Sequence, residues 1–438
     1  SLNADARLNP FFTETEWLPR FDHFWMGQPL FGMFTWYEHS SAGYARFRRA
    51  SAPKNPNDQP FSYLPWERAE KAEGERLSTR HEIDLPLQLG PIKCTPYVLG
   101  ELAHWGADLN GDDINRAYGQ AGIRATMPIW RVDPTVESQL WNVHGLAHKL
   151  ELQFEFLVAD ANRGMDNLPL YDNLDDNSIE AERRHFLTST FGIPSIVPPA
   201  VGDLDSIGKR AFDERYYALR YGMASHVASP STEIADDIMA MRLGLHQRWQ
   251  TKRGLPGDRR IIDWITFDTN MTVFPETQRD NYGKAVGLWD YDFRWHVGDR
   301  TTVVSDGIFD FFQDGQQIAT IGVFLNRPPR GSLFVGMRFL EGPMRSHTLS
   351  ASYSYWMSPK WVSTFGTSID FAKQGNLGQS FTLTRIGESL LVSAGFNVDP
   401  IRGDFGVGIA VEPRFLPKGR LNSMTGARIP PAGAFGLE

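Results

Sequence analysis

Residues 289–297 read Trp289-Asp290-Tyr291-Asp292-Phe293-Arg294-Trp295-His296-Val297. Every second side chain from Trp289 is large and apolar or aromatic, and those between are charged or polar. A helix, with a repeat near 3.6, cannot sort the two sets onto separate faces, whereas a strand does so at period 2. The stretch therefore predicts a strand with one apolar and one charged face, and Thr301–Phe312 continues the beat. On a single strand this pattern fits the surface of a soluble sheet, apolar side inward. When it recurs along a long chain with little helix to cover it, the inverse becomes available: apolar side toward lipid, polar side around a lumen.

The pattern does recur. Upstream lie His81–Leu89, Ile92–Trp105, Arg116–Val132 and Trp141–Asp160. In the last of these Leu146, Leu150, Leu152, Phe154 and Phe156 share a face, and Lys149, Glu151, Gln153 and Glu155 take the other. From Tyr216 the alternation returns, through Ile261–Phe274 and the opening stretch to Gln317–Asn326, Ser332–Leu340, His347–Trp356, Trp361–Phe371, Gly378–Arg385, Leu390–Val398 and Phe405–Phe415. Asp237–Gln250 fits both an amphipathic helix and a strand, and its strand neighbours favour the strand. The period-2 template yields about eighteen strands. Links such as Met357-Ser358-Pro359 and Gly387-Glu388 are so short that neighbours must be antiparallel. Alternation alone does not separate a barrel from a sandwich, but the strand count and up-and-down spacing favour a large antiparallel transmembrane barrel. The expected organisation is a barrel domain over 1–416, interrupted by a long loop at 160–215, and a C-terminal extension over 417–438. Residues 50–75 read as an exposed loop and Ile179–Phe186 as one or two helical turns.

Composition narrows the classes. The chain has 438 residues, 41% of them hydrophobic, and no apolar run long enough for a transmembrane helix. Mean hydropathy of −0.35 is that of a water-soluble protein, and a transmembrane barrel shares it because only alternate residues meet lipid. Aromatics reach 13%, which suits interfacial Trp and Tyr belts and equally a β-sandwich lectin. A net charge of −8 argues against nucleic acid as a partner. The single cysteine, Cys94, permits neither an internal disulfide nor a Cys-based zinc site. The chain opens on Ser1 without a signal segment, so it reads as a mature chain or a fragment.

His144 and His148 invite a metal reading, but no carboxylate has the spacing a His-Glu-x-x-His site requires, so structural or interfacial roles are expected. The acidic stretch Asp160, Asp166, Asp172, Asp175 and Asp176 lacks EF-hand periodicity and reads as a solvated loop, with divalent bridging of lipid phosphates the lesser reading. No Gly-x-Ser-x-Gly elbow or phosphate loop occurs, and nothing points to an enzyme or a cofactor. Arg242, Arg248, Arg294 and Arg338 fall on polar faces, with Lys149, Glu151 and Glu155 beside them. Two readings stand: cross-strand pairing in a solvated lumen, or guidance of anionic head groups by bidentate donors.

Four local signatures carry a resemblance. They are Thr15-Glu16-Trp17-Leu18-Pro19 with the aromatic run up to Ser41-Ala42-Gly43-Tyr44; Arg116 with Gly122-Ile123-Arg124-Ala125-Thr126-Met127-Pro128; Gly145-Leu146-Ala147-His148-Lys149-Leu150; and Leu245-His246-Gln247-Arg248-Trp249-Gln250-Thr251-Lys252-Arg253-Gly254. In order and spacing they resemble the C-terminal outer-membrane barrel of the LptD family of lipopolysaccharide-assembly proteins, also called organic solvent tolerance proteins. The resemblance implies a non-enzymatic barrel in the cell outer membrane of the Gram-negative envelope. It would receive lipopolysaccharide, or a related glycolipid, from an LptA-like periplasmic bridge through a preceding domain. An LptE-like lipoprotein would plug it, and the lipid would leave sideways through a weakly paired gate. Pro10 and Pro19 are the gate-proline candidates, since each missing ladder bond removes about 0.5–1.5 kcal/mol. The sequence departs from the family in lacking the periplasmic jelly-roll, the inter-domain disulfides and a terminal aromatic residue, and in its smaller strand count. A porin-like or uptake barrel and a secreted β-rich carbohydrate-binding protein are the alternatives.

Overall fold

The computed structural model describes residues 1–52, 54, 63–67, 71–172, 184, 213–223, 226–229, 233–255, 257–312, 315–343, 345–372 and 375–414. One sheet of nineteen strands dominates it. In chain order these are β1 (Leu2–Asp5), β2 (Glu14–Leu30), β3 (Phe34–Arg48), β4 (Lys71–Asp84), β5 (Leu87–Leu89), β6 (Ile92–Trp105) and β7 (Ile114–Ser138). Then come β8 (Val143–Ala161), β9 (Ile238–Arg253), β10 (Arg260–Val273), β11 (Val286–His296), β12 (Thr301–Asp310) and β13 (Gln317–Arg327). The last six are β14 (Gly331–Glu341), β15 (Ser346–Ser358), β16 (Trp361–Asp370), β17 (Gly375–Ile386), β18 (Leu390–Asp399) and β19 (Asp404–Pro413). Each pairs antiparallel with its chain neighbour, except that β4 and the short β5 both pair with β6. The ambiguous stretch at 237–250 is strand β9.

Register shows which face is which. Leu325, Leu333, Tyr353, Phe365, Phe381, Phe396 and Val407 lie directly opposite one another across β13–β19. One residue along, Phe324, Phe334, Ser352, Gly366, Ser380, Asn397 and Gly406 form the row on the opposite face. The first row is solvent-accessible although apolar: Leu325, Leu333 and Phe396 are each 41% exposed. The second shares its face with the buried charges Arg76, Arg80, Glu101 and Arg116. Moving a Leu- or Phe-sized side chain out of water stabilises by about 1.5–3 kcal/mol, whereas Arg or Lys at a bilayer midplane costs about 2–4 kcal/mol. The apolar face therefore meets lipid and the polar face meets the interior. Trp289, Tyr291, Phe293 and Trp295 are on the outer face, and Asp290, Asp292 and Arg294 on the inner.

The sheet curls around its own connection. The segment between β8 and β9 touches β2, β4, β7 and β12 from the inner face, which a flat sheet does not permit. Among the described residues no ladder joins β19 to β1 or β2, so the wall has a seam. The outer side chains of β19 are correspondingly bare, with Val407 at 71% and Ile409 at 75% exposure.

Three expectations change. Residues 50–75 are not simply an exposed loop: Leu64, Trp66 and Glu67 are almost fully buried, and β4 starts at Lys71. Burial follows because Glu67 takes the backbone N–H of Leu64 and the Arg184 guanidinium. The β8–β9 connection runs to residue 237, beyond the expected 215. The run from Tyr216 is a helix, α1 (Glu214–Tyr221), because Asp213 caps its start by accepting from the Arg215 N–H and Gly222 ends it at φ 87°. Of the helical turns expected within 179–186 only Arg184 is described, and it is helical; the extension after 417 lies outside the described residues.

Candidate functional site

A lumen with a charged wall needs those charges satisfied, and half of this one is satisfied from within the chain. Arg76 on β4 pairs with Glu233 at 3.1 Å, both nearly fully buried. Glu101 on β6 sits between Arg80 at 2.8 Å and Arg116 at 2.5 Å, with no exposure at any of the three. Arg80 then donates to the His226 carbonyl, Arg116 donates to that of Ala235, and the Val227 N–H donates to Glu82. Trp105 lies under both Arg76 and Arg116, at 4.0 and 5.0 Å from the guanidinium carbons. Further along, Arg220 of α1 forks onto Asp310 of β12 at 2.8 and 2.6 Å and also reaches Asn281. Apolar packing backs the ion pairs, since Leu168, Tyr216, Leu219 and Ile234 of the connection join Phe47, Trp105 and Phe274 of the wall in one cluster. The segment is thus an internal plug against β2–β12. Buried pairs of this kind add little net stability over apolar packing, but removing one partner costs about 3–5 kcal/mol.

The expected acidic loop is part of this plug. Asp166 accepts from the Tyr216 hydroxyl, and Asp172 pairs with Arg20 at 2.5 Å. Burial, and then the Glu233 carboxylate, push the Asp172 carboxyl up to about 6, with Arg20 pulling the other way. Burial likewise raises Asp236 above the ordinary aspartate range. Asp175 and Asp176 lie outside the described residues.

The expected head-group residues fall on the inner face in two kinds of setting. Arg242 and Glu155 face each other at 2.6 Å, and Glu155 also takes Arg124, so both are engaged in cross-strand pairs. Lys149 stands directly opposite Arg248, and Arg248 and Arg294 flank Thr266 in the same row. Lys149, Arg248 and Arg294 have no ion-pair partner among the described residues. Like charges directly opposite on a sheet repel, so this row is poised for an anion. Its neighbouring row runs Glu151, His246, Asp268, Asp292, Asp306, Thr320 and Arg338, with His246 to Asp268 at 2.9 Å. A cavity of about 640 Å³ opens between these rows, lined by Trp130, Lys149, Glu151, His246, Arg248 and Asp268.

The remaining singled-out residues separate. Pro10 lies in the connection between β1 and β2, and Pro19 inside β2, where the register shifts between Trp17 and Arg20. His148 is on the outer face, stacked on Trp249 at 4.6 Å, and His144 is 4.0 Å from Glu137. Cys94 is buried. The residues missed in sequence are the plug anchors Arg76, Arg80, Glu101, Arg116, Glu233 and Asp310. The alternation Arg76, Ser78, Arg80, Glu82, Asp84 was the signal for the β4 anchors.

An apolar outer face around a charged, partly filled interior defines the class: an outer-membrane-type β-barrel with an internal plug. No family model and no curated protein matches the chain. Solved structures similar to it include a multiple mutant of the Rh. blastica porin at 6% identity and TM-score 0.26, covering 77% of this chain and 90% of that one. A second is P. aeruginosa FpvA bound to a heterologous pyoverdine, at 8% identity and TM-score 0.27, covering 91% of this chain and 57% of that one. Likeness at this level carries no argument, and the assignment rests on the ladders and faces described above.

Proposed function

We propose that the chain is an outer-membrane transport barrel that delivers lipopolysaccharide to the outer leaflet. The head group travels in the aqueous part of the lumen, and the acyl chains leave sideways through the seam at β19. The observation that carries this reading is that seam. An amphiphile needs a polar interior for one end and an opening toward hydrocarbon for the other, and a wall lacking one ladder offers both. The β2 side of the seam is weak in its own right: β1 has only four residues, and β2 carries two register shifts, one at Pro19. The row Lys149, Arg248 and Arg294 gives sugar-linked phosphates their donors. The partners implied by the resemblance remain part of the proposal. An LptA-like bridge would supply the lipid. An LptE-like lipoprotein would have to meet the inner wall of β13–β19, because the described residues of the β8–β9 connection pack on the wall opposite.

The test is to tether the seam. With Cys94→Ser as background, Phe21→Cys and Ile409→Cys place thiols on the outer faces of β2 and β19, where both native side chains are exposed. A bis-maleimide joining them should stop lipopolysaccharide reaching the surface of cells that depend on this chain, while each single cysteine leaves delivery intact. Delivery through a tethered seam would refute the lateral route. The porin-like alternative expects ion conductance that is indifferent to the tether.

A further inference from the structure

The two halves of the lumen differ in chemistry. Through the middle of β15–β19 the inner face carries no charged side chain: Ser350, Ser352, Thr364, Ser380, Thr382 and Asn397 are typical, with glycines between them. Asp370, Asp399, Asp404 and Glu412 are confined to the strand ends. This wall borders a cavity of about 710 Å³, within the range of small-molecule sites. At its β13–β14 margin two aromatic rings point inward, Phe324 and Phe334, with centroids 4.5 Å apart. Phe334 lies flat because Gly322 and Gly336 make room for it; a Cβ on either would come within 2.7 or 2.5 Å of the ring. Phe324 is 46% exposed inside a polar lumen. Thr382 lines the same cavity at only 8% exposure, and its side-chain hydroxyl has no hydrogen-bond partner among the described residues.

We infer that this uncharged half of the lumen is a binding lane for a neutral, hydroxyl-rich oligosaccharide. Ser, Thr and Asn side chains both donate and accept, as sugar hydroxyls do, so a sugar chain can exchange partners along them without meeting a fixed charge. The exposed ring faces are electron-rich and suit the C–H faces of a pyranose. Within β15–β19 an anionic chain finds no inward cation; Lys149, Arg248 and Arg294 on β8, β9 and β11 and Arg338 on β14, inward cations without an ion-pair partner among the described residues, lie outside the lane. The lane depends on a water-filled lumen and not on any lipid cargo, so it goes beyond the export reading.

The experiment titrates the full chain with maltoheptaose and with its sulfated form by calorimetry, in lauryldimethylamine oxide, whose head is not a sugar. Maltoheptaose should bind and the sulfated form should bind at least about tenfold more weakly. Phe334→Ala should weaken maltoheptaose about tenfold, whereas Phe334→Tyr retains binding. Thr382→Val, which exchanges the hydroxyl for a methyl of similar size, should weaken it severalfold and serves if the Phe334→Ala barrel fails the heat-modifiability test of folding. Lys149→Ala and Arg248→Ala should leave it unchanged. Absence of maltoheptaose binding overturns the inference, as does equal or tighter binding of the sulfated chain, or indifference to both Phe334→Ala and Thr382→Val. Failure of the seam-tether test would leave this titration untouched, so the two ideas fall separately.

Discussion

Arg220 shows how much one side chain can hold. Its guanidinium satisfies Asp310, itself 1% exposed, and Asn281, and aromatic rings of Tyr217, Phe274, Tyr282 and Phe312 surround it at 5.3–5.8 Å. Arg220→Met should cost about 3–5 kcal/mol in equilibrium unfolding, because Asp310 is left buried and uncompensated. Arg220→Met with Asp310→Leu should recover most of that loss; a double variant no better than the single one would show that packing, not charge, is at stake. Asp172 makes a second, pH-dependent case. Its carboxyl is raised to about 6 by burial and by Glu233, so folding favours the protonated form. The stabilisation is full below the ordinary aspartate range and is lost as pH rises through about 6. Protease resistance of the plug segment should therefore decline from about pH 4 to about pH 6, and Asp172→Asn should flatten the decline.

At the scale of strands, the alternation that revealed them also sets their tolerance to charge. Val335 on β14 is on the outer face at 41% exposure, and Ser352 on β15 faces the lumen. Val335→Arg should cost about 2–4 kcal/mol in folding into vesicles, and Ser352→Arg much less. Equal costs would mean that the face assignment is wrong. This scale was legible in the sequence because period-2 patterning is local: Leu390, Val392, Ala394 and Phe396 alternate with Ser393, Gly395 and Asn397 without reference to anything distant. Helix α1 was misread for a local reason too. Its eight residues are too few for a 3.6 period to stand out, and only the caps Asp213 and Gly222 announced it.

The whole molecule was less legible, because its interior depends on pairs no window contains. Arg76 finds Glu233 157 residues away, Arg116 finds the Ala235 carbonyl at 119 and Arg220 finds Asp310 at 90. Each residue alone reads as an ordinary charge on a polar face or in a loop, so the plug and the neutral lane beside it appear only once the sheet is closed around them. A last prediction follows from that arrangement. Ala159 at the end of β8 and Ile238 at the start of β9 are direct ladder partners, so a hairpin of a few residues can replace 163–236 without moving a strand. The wall charges Arg76, Arg80 and Arg116 would then meet water, which solvates them, while Phe47, Trp105 and Phe274 would lose apolar cover at about 1.5–3 kcal/mol each. The shortened barrel should keep its heat-modifiable folded band and melt at a lower temperature, and its single-channel conductance in planar bilayers should rise severalfold. Unchanged conductance would mean that ions already bypass the segment, and the plug would then be a brace for the wall and no barrier to the lumen.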